Sequence, residues 1–144
     1  MINLLLGMGV MAICLLLQSL LMVLAIRFHI RHVRRLETVS MGVSLMLVSS
    51  VMMLLVLGNL AQLMIWAVLF VFLGEFVSFR EAVYHSAVNF ATLGYGDIVM
   101  SEEHRILGPL EAINGVLMIG VSTAALTATF GDLVKRKLDQ REGI

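Results

Sequence analysis

Long stretches without a charged residue alternate with short polar segments along this chain. The uncharged stretches cover residues 1–26, 39–74 and 112–131. Each is long enough for a helix that crosses a bilayer, which needs about 18 or more consecutive apolar residues, and none has the polar face of a soluble core helix. The pattern predicts membrane-spanning helices over Ile2–Ile26, Val39–Gly74 and Pro109–Gly131.

The second stretch is longer than one straight crossing requires. As a helix, residues 39–74 would extend about 54 Å, whereas the hydrocarbon core of a bilayer is about 30 Å thick. A strong tilt, a first part Val39–Ser50 lying along the membrane surface, or a bend at Gly58-Asn59 would each resolve the excess. Two crossings divided at Gly58-Asn59 are a further alternative, although they would put one of the two basic clusters outside the cell.

Composition supports lipid as the medium around the chain. Hydrophobic residues make up 60% of the sequence and charged residues 14%, whereas soluble domains average about 45–50% and about 25%. The one cysteine, Cys14, cannot form a disulfide within the chain. The sequence has no catalytic constellation and no nucleotide or metal motif, so we predict no enzyme activity, no organic cofactor and no nucleic-acid partner.

The basic residues are concentrated in two places, between residues 27 and 35 and between residues 135 and 141. Because Lys and Arg in short loops favour the cytoplasmic side, we expect both clusters there. The segment between the second and third apolar stretches is mostly acidic and is expected outside. We therefore predict a multi-pass protein of the cell membrane with its N-terminus outside and its C-terminus in the cytoplasm.

The most informative segment lies between the second and third apolar stretches. A short amphipathic helix is predicted over Arg80–Ala91, and residues 92–97 follow with the sequence Thr-Leu-Gly-Tyr-Gly-Asp. Successive carbonyls of an extended chain point in alternate directions unless every second residue has a left-handed backbone. Gly94 and Gly96 lack a Cβ and adopt that backbone at little cost, so this segment is suited to present a row of carbonyl oxygens along one line.

This segment resembles the pore domain of the potassium-channel superfamily, whose filter pattern is Thr-Val-Gly-Tyr-Gly-Asp. The residues that match it are Thr92, Gly94, Tyr95, Gly96 and Asp97, while Leu93 replaces the usual Val and Ala91 a frequent Thr. The resemblance covers about residues 55–131. In such channels, rings of backbone carbonyls replace the hydration shell of the ion, so the resemblance implies potassium ions bound at Thr92, Leu93, Gly94 and Tyr95.

The resemblance also implies an architecture. We expect an all-α membrane protein with three transmembrane helices, a re-entrant pore helix over residues 80–91 and a selectivity-filter loop. One chain supplies one loop of a closed ring, so a homotetramer in contact with membrane lipids is expected. The expected divisions are an N-terminal helix with its basic connector (1–38), a pore domain (39–131) and a cytoplasmic tail (132–144). A weakly selective cation channel and a non-conducting membrane scaffold or accessory subunit are the alternatives.

Individual roles follow from the same resemblance. Tyr84 is expected to bond Asp97 and brace the outer end of the filter, and Leu93 and Tyr95 are expected to pack the filter against the pore helix. Gly115 and Gly120 match two glycines of the inner helix that serve either as gating hinges or as sites of close packing. The side chains expected to line the cavity below the filter are Ile119, Thr123 and Thr127.

Three polar residues near this segment need a separate explanation. Glu111 and Asn114 lie on one side of the third helix, and an acid at membrane depth is costly and is a functional candidate by default. Glu111 is expected to support the filter from behind, to sense protons or to lie in a wet interfacial position. Glu75, at the end of the second helix, is expected to hydrogen-bond the outer pore backbone.

Overall fold

A computed structural model of the protein describes residues 1–33 and 41–142. Over these ranges the chain forms four helices and no strand: α1 (Ile2–Val33), α2 (Met41–Phe72), α3 (Phe79–Phe90) and α4 (Leu107–Glu142). The segments Ile2–His32, Gly42–Phe72 and Leu107–Lys135 are long and apolar enough to cross a membrane. The predictions of an all-α class and of three spanning helices are confirmed.

The helix α1 continues past the predicted end at Ile26 to Val33. The added residues include Arg27 and Arg31, contain no Gly or Pro, and Arg is a good helix former. A long basic side chain at a helix end can also keep its charge in water while its stem covers apolar surface. Much of the predicted basic connector is therefore helical, and Arg34 and Arg35 lie outside the described residues.

The helix α4 is longer than predicted at both ends. It begins at Leu107, before Pro109, and continues past Gly131 to Glu142. Pro109 is only the third residue of the helix, where its missing N–H removes no intrahelical hydrogen bond. Gly131 costs a helix only about 1 kcal/mol relative to Ala, so it did not mark an end, and the expected cytoplasmic tail begins inside α4.

The helix α2 is uninterrupted from Met41 to Phe72. This continuity contradicts two crossings divided at Gly58-Asn59, and it joins residues 41–50 to the spanning helix, while Val39 and Ser40 lie outside the described residues. Gly58 marks close packing, because a Cβ at this position would collide with Leu21 of α1. The end of α2 is a Schellman cap, in which Gly74 has a positive φ of 77° and the Glu75 N–H donates to the Phe70 carbonyl at 3.1 Å.

Contacts along the helices define their directions. α1 runs parallel to α4, since Asn3 Nδ2 donates to the Glu103 carbonyl and Gln18 contacts Ser122 further along both helices. α1 runs antiparallel to α2, since Gln62 contacts Gln18 while the later residue Ala25 packs against the earlier Val51. Consequently the basic ends of α1 and α4 lie together, at the end of the bundle opposite the acidic segment after α2.

The core at this acidic end positions the short helix α3. The buried members of this cluster are Cys14, Trp66, Ala67, Phe70, Phe76, Ala82 and Leu107, drawn from all four helices and the loop after α2. The ring of Phe70 packs edge-on against Phe76 and His85, with centroids 6.4 and 5.6 Å apart. α3 is thereby held between α2 and α4. The outward surfaces of the long helices remain apolar and exposed in the single chain, as expected for helices surrounded by lipid or by further subunits.

Candidate functional site

The helix α3 ends in a way that sets the start of the segment 92–96. The Leu93 N–H donates to the Val88 carbonyl and the Thr92 N–H to the Asn89 carbonyl, both at 2.8 Å. These two hydrogen bonds form a Schellman cap, whose left-handed position is usually a glycine. Here Thr92 occupies it with φ of 57°. Thr92, the first residue of the segment 92–96, therefore already has a left-handed backbone where the chain leaves α3.

Left-handed backbone then recurs at every second residue. The φ angles are 57° at Thr92, 60° at Gly94 and 69° at Gly96. This alternation is the geometry that turns consecutive carbonyls of an extended chain toward a common side. No atom lies within 4 Å of a Cβ placed on Gly94 or Gly96. Backbone strain, and not crowding within the subunit, is therefore what a side chain would meet at these two positions.

All five residues of the segment 92–96 are exposed in the single chain. Leu93 is 53% exposed and Tyr95 65%, so more than half of each residue is uncovered within the single chain. The packing against α3 that we expected from the sequence would cover only part of them. α3 faces the bundle core, and the chain turns away from it at Thr92. Any further cover for these two residues must come from outside the chain.

Two hydrogen bonds join α3 to the loop after the segment 92–96. The Tyr84 hydroxyl donates to Asp97 Oδ2 at 2.7 Å, and this bond holds the pKa of Asp97 below its usual value. His85 Nδ1 lies 3.0 Å from the Ile98 carbonyl. Because a carbonyl only accepts, Nδ1 carries the hydrogen, and Nε2 accepts from Asn89 Nδ2 at 2.9 Å. Burial lowers the pKa of His85, although its bond to Ile98 acts in the opposite direction.

A second brace ties the end of α2 to the loop before α4. Glu75 accepts from the Ser101 N–H at 2.7 Å, from the Ser101 hydroxyl at 2.6 Å and from His104 Nδ1 at 2.5 Å. Burial alone would raise the pKa of Glu75, but the hydrogen bonds from Ser101 and His104 outweigh it, and the pKa is lowered. Glu75 thus hydrogen-bonds the backbone of the loop before α4, in line with the prediction. The identity of its partner, Ser101, was not foreseen.

Glu111 is fully buried behind α3 and hydrogen-bonds Ser86, which is also fully buried. A wet interfacial position for Glu111 is therefore wrong. The Ser86 hydroxyl lies 2.8 Å from the Leu63 carbonyl as well. Ser86 has a single hydrogen for two oxygens, so Ser86 can donate to Leu63 if a protonated Glu111 carboxyl donates to Ser86. The second carboxyl oxygen of Glu111, Oε2, is buried without a partner among the described residues. This arrangement links α2, α3 and α4 behind the segment 92–96.

Gly115 and Gly120, the two glycines of α4 to which the resemblance gave a role, differ sharply in their surroundings. A Cβ on Gly115 would collide with the backbone carbonyl oxygen of Phe90, the last residue of α3. Gly120 has no atom within 4 Å of a Cβ position. Close packing is thus the evident role of Gly115, while Gly120 is free of such contact within the subunit.

The remaining part of α4 presents two different faces. Ile119, Thr123 and Thr127 are exposed and follow one another at intervals of four residues, so they share a side of the helix. Thr123 donates its hydroxyl hydrogen to the Ile119 carbonyl at 2.9 Å, and Thr127 donates to the Thr123 carbonyl at 3.0 Å. Their oxygen lone pairs therefore remain for an outside partner. Met118 and Ser122, by contrast, are buried against the bundle.

Sequence reasoning overlooked a polar group inside the bundle. Gln18, Gln62 and Ser122 are buried, and Gln18 hydrogen-bonds the other two, which links three helices. The available signal was the presence of Gln in otherwise apolar stretches, since polar side chains in membrane helices usually find partners on other helices.

Comparison with known proteins was made by family, by curated protein and by solved structure. Residues 60–132, just over half of the chain, match the model of a family described as ion channel. No curated protein and no solved structure gave a match. The matched region begins in α2 and includes α3, the segment 92–96 and most of α4. Together with its three apolar helices, this match makes the protein a multi-pass membrane protein and not an enzyme: the chain belongs to the ion channel family, with a pore domain of the potassium-channel type.

Proposed function

We propose that the protein is a potassium-selective channel that conducts ions passively through the segment 92–96. The observation that carries this proposal is the alternation of left-handed backbone at Thr92, Gly94 and Gly96. A chain in this conformation offers successive carbonyl oxygens to one line, and such rings of oxygens replace the water shell of potassium. The Thr92, Leu93, Gly94 and Tyr95 carbonyls would bind the ions in transit.

A closed ring requires more than one copy of the segment, and we propose a homotetramer with α3 as a re-entrant pore helix. Non-helical backbone is tolerated at membrane depth only when protein covers it or when it lines water. The segment 92–96 is exposed in one subunit, so neighbouring copies must cover Leu93 and Tyr95. In this assembly the exposed face of Ile119, Thr123 and Thr127 would line the cavity.

The charge distribution supports an orientation for this assembly. Arg27, Arg31 and Lys135 lie at the end of the bundle opposite Glu75 and Asp97. By the preference of basic residues for the cytoplasm, the N-terminus and the segment 92–96 would face outward and the C-terminus inward. The negative end of α3 points toward Thr92 and would favour a cation at the centre of the pore. Tyr84 and Asp97 would brace the outer filter through their hydrogen bond.

Ion selectivity in planar bilayers tests the proposal. With potassium on one side and sodium on the other, each tenfold of permeability ratio moves the reversal potential by about 59 mV. We expect the reversal potential to shift in the direction of potassium selectivity by more than about 59 mV, which corresponds to a permeability ratio above tenfold. A reversal potential near zero would instead favour the weakly selective cation channel. Gly94→Ala and Gly96→Ala should each abolish selective current, because a Cβ strains the left-handed backbone at these positions.

A glycine elsewhere in the chain provides the matched control. Gly9 lies in α1 with an ordinary helical backbone, and a Cβ there would meet no atom within 4 Å. Gly9→Ala should therefore leave the reversal potential unchanged. Equal behaviour of Gly9→Ala and Gly96→Ala would mean that the left-handed backbone is not needed for selectivity.

A further inference from the structure

Polar side chains from the three long helices meet inside the bundle. Gln62 Nε2 of α2 donates to Gln18 Oε1 of α1 at 2.8 Å, and Gln18 Nε2 donates to Ser122 Oγ of α4 at 3.0 Å. The three residues are 0%, 2% and 6% exposed, respectively. Ser122 donates its own hydrogen to the Met118 carbonyl at 2.8 Å. Gln18 therefore uses both ends of its amide, one toward each neighbouring helix.

This network has a defined direction. The Ser122 hydrogen is engaged within α4, so its oxygen acts as acceptor. It accepts from the Gln18 amide at 3.0 Å and, at the longer distance of 3.4 Å, from Asn59 Nδ2 of α2. Gln62 fixes the orientation of the Gln18 amide by donating to its oxygen. In a membrane interior no water is present to replace a lost partner, and an unpaired amide is costly. The link from α1 to α4 is thus specific in geometry, unlike the apolar contacts around it.

The place of Ser122 on α4 gives the link a mechanical consequence. Above it, α4 is fixed to α3 by the Glu111–Ser86 hydrogen bond and by the contact of Gly115 with Phe90. Between these contacts and Ser122 lies Gly120, with no neighbour at its Cβ position. The cavity-facing residue Thr123 directly follows Ser122. A movement of α4 below Gly120 must therefore carry Ser122 with it or break its bond to Gln18.

We propose that Gln18 is a positioning residue for conduction, which sets the place of the cavity-facing side of α4 through its hydrogen bond to Ser122. The helix α1 lies outside the residues that match the channel family, and this bond makes it a part of the gate. The inference rests on ion conduction by the pore and is independent of potassium selectivity.

A double-mutant cycle on single-channel open probability tests the proposal. Gln18→Met removes the amide at nearly constant volume, and Ser122→Ala removes the acceptor. Hydrogen bonds between membrane helices have strengths that correspond to roughly threefold to eighteenfold in an equilibrium. Each single variant should shift open probability by such a factor, in the same direction, and the double variant should match the single ones. Unitary current and reversal potential should stay at their wild-type values.

Ser19→Ala is the matched control, because Ser19 adjoins Gln18, is exposed and donates only to the Leu15 carbonyl of its own helix at 2.8 Å. It should leave open probability unchanged. Additive effects of Gln18→Met and Ser122→Ala, or wild-type gating in either, would overturn the proposal. If Gln18→Met does not assemble, Gln62→Met supplies the test, because it removes the donor that orients the Gln18 amide and so weakens the bond from Gln18 to Ser122. It should shift gating in the direction of Ser122→Ala, and wild-type gating would refute the link. A non-selective wild-type current would count against the proposed selectivity alone, because gating is measurable with any permeant cation.

Discussion

Adding one methyl group at Gly115 would distinguish a hinge from a packing contact in α4. The new Cβ would collide with the Phe90 carbonyl oxygen and lie 2.8 Å from the Phe90 carbonyl carbon and 3.0 Å from its Cα. All three are backbone atoms, so no side-chain rotation relieves the collision. Overpacking costs about 1–3 kcal/mol, occasionally more, and contact with backbone places Gly115→Ala near the upper end, at about 3 kcal/mol.

The collision should also displace the segment 92–96. Phe90 ends α3, and Thr92 takes its left-handed conformation from the cap that closes this helix. If α4 pushes Phe90 away, the cap and the carbonyls that follow it must move. We therefore expect Gly115→Ala to lower the unfolding temperature by the order of 10 °C and to reduce the shift of the reversal potential. This outcome differs from that of a hinge, for which selectivity would be intact and only open probability would fall.

Gly120→Ala serves as the matched control for Gly115→Ala in the same helix. It meets no atom within 4 Å, and Ala stabilises a helix by about 1 kcal/mol relative to Gly. This variant should keep the reversal potential, should raise the unfolding temperature by a few degrees, and should lower open probability if α4 bends at Gly120. Thermal unfolding of the purified protein and bilayer recording measure both variants. Wild-type unfolding and selectivity in Gly115→Ala, with a reduced open probability, would refute the packing role of Gly115.

Two further predictions concern the braces around the segment 92–96. The pKa of Glu75 is lowered in the fold, so its stabilising contribution is complete above the unfolded pKa of 4.5 and is lost as the pH falls below that value. The unfolding temperature should therefore drop between about pH 6 and about pH 3, and it should drop less in Glu75→Gln. Equal drops in the two proteins would show that Glu75 is not the cause. Glu111→Gln should keep near wild-type stability and conduction, because its amide can still donate to Ser86 as a protonated carboxyl does. If Glu111→Gln loses as much stability and conduction as Glu111→Leu, an ionised carboxylate is required instead.

Much of the architecture was predictable because the bilayer imposes a simple rule on the sequence. Apolar stretches of sufficient length become helices, and the three spans of this chain were found from that rule. Their ends were not predictable from the same pattern. We placed one helix end before Arg27 because Arg27 is charged, and another at Gly131 because glycine is flexible. Neither residue interrupts the backbone hydrogen bonds of a helix, so α1 and α4 continue through them.

The conformation of the segment 92–96 was predictable in part because glycine adopts a left-handed backbone at little cost, whatever its neighbours are. Gly94 and Gly96 indicated left-handed backbone without any knowledge of their neighbours, and both have a positive φ. Thr92 did not carry this signal, because its left-handed φ comes from the capping hydrogen bonds of α3. The surroundings of Leu93 and Tyr95 were not predictable from one chain, since neighbouring subunits must provide them in the proposed assembly.

The roles of polar residues inside the helices depend on partners that are distant in sequence. In the sequence, Gly115 and Gly120 are two glycines of the same apolar helix and cannot be told apart. Only the backbone of Phe90, which lies against Gly115 and not against Gly120, gives them different roles. In the same way, Gln18 lies in a stretch whose hydropathy predicts no more than a membrane span, and its function depends on Ser122, 104 positions away. A single hydrogen bond between two helices does not produce a repeating pattern in the sequence of either helix. The coupling of α1 to the pore could therefore be inferred only after the helices had been placed side by side.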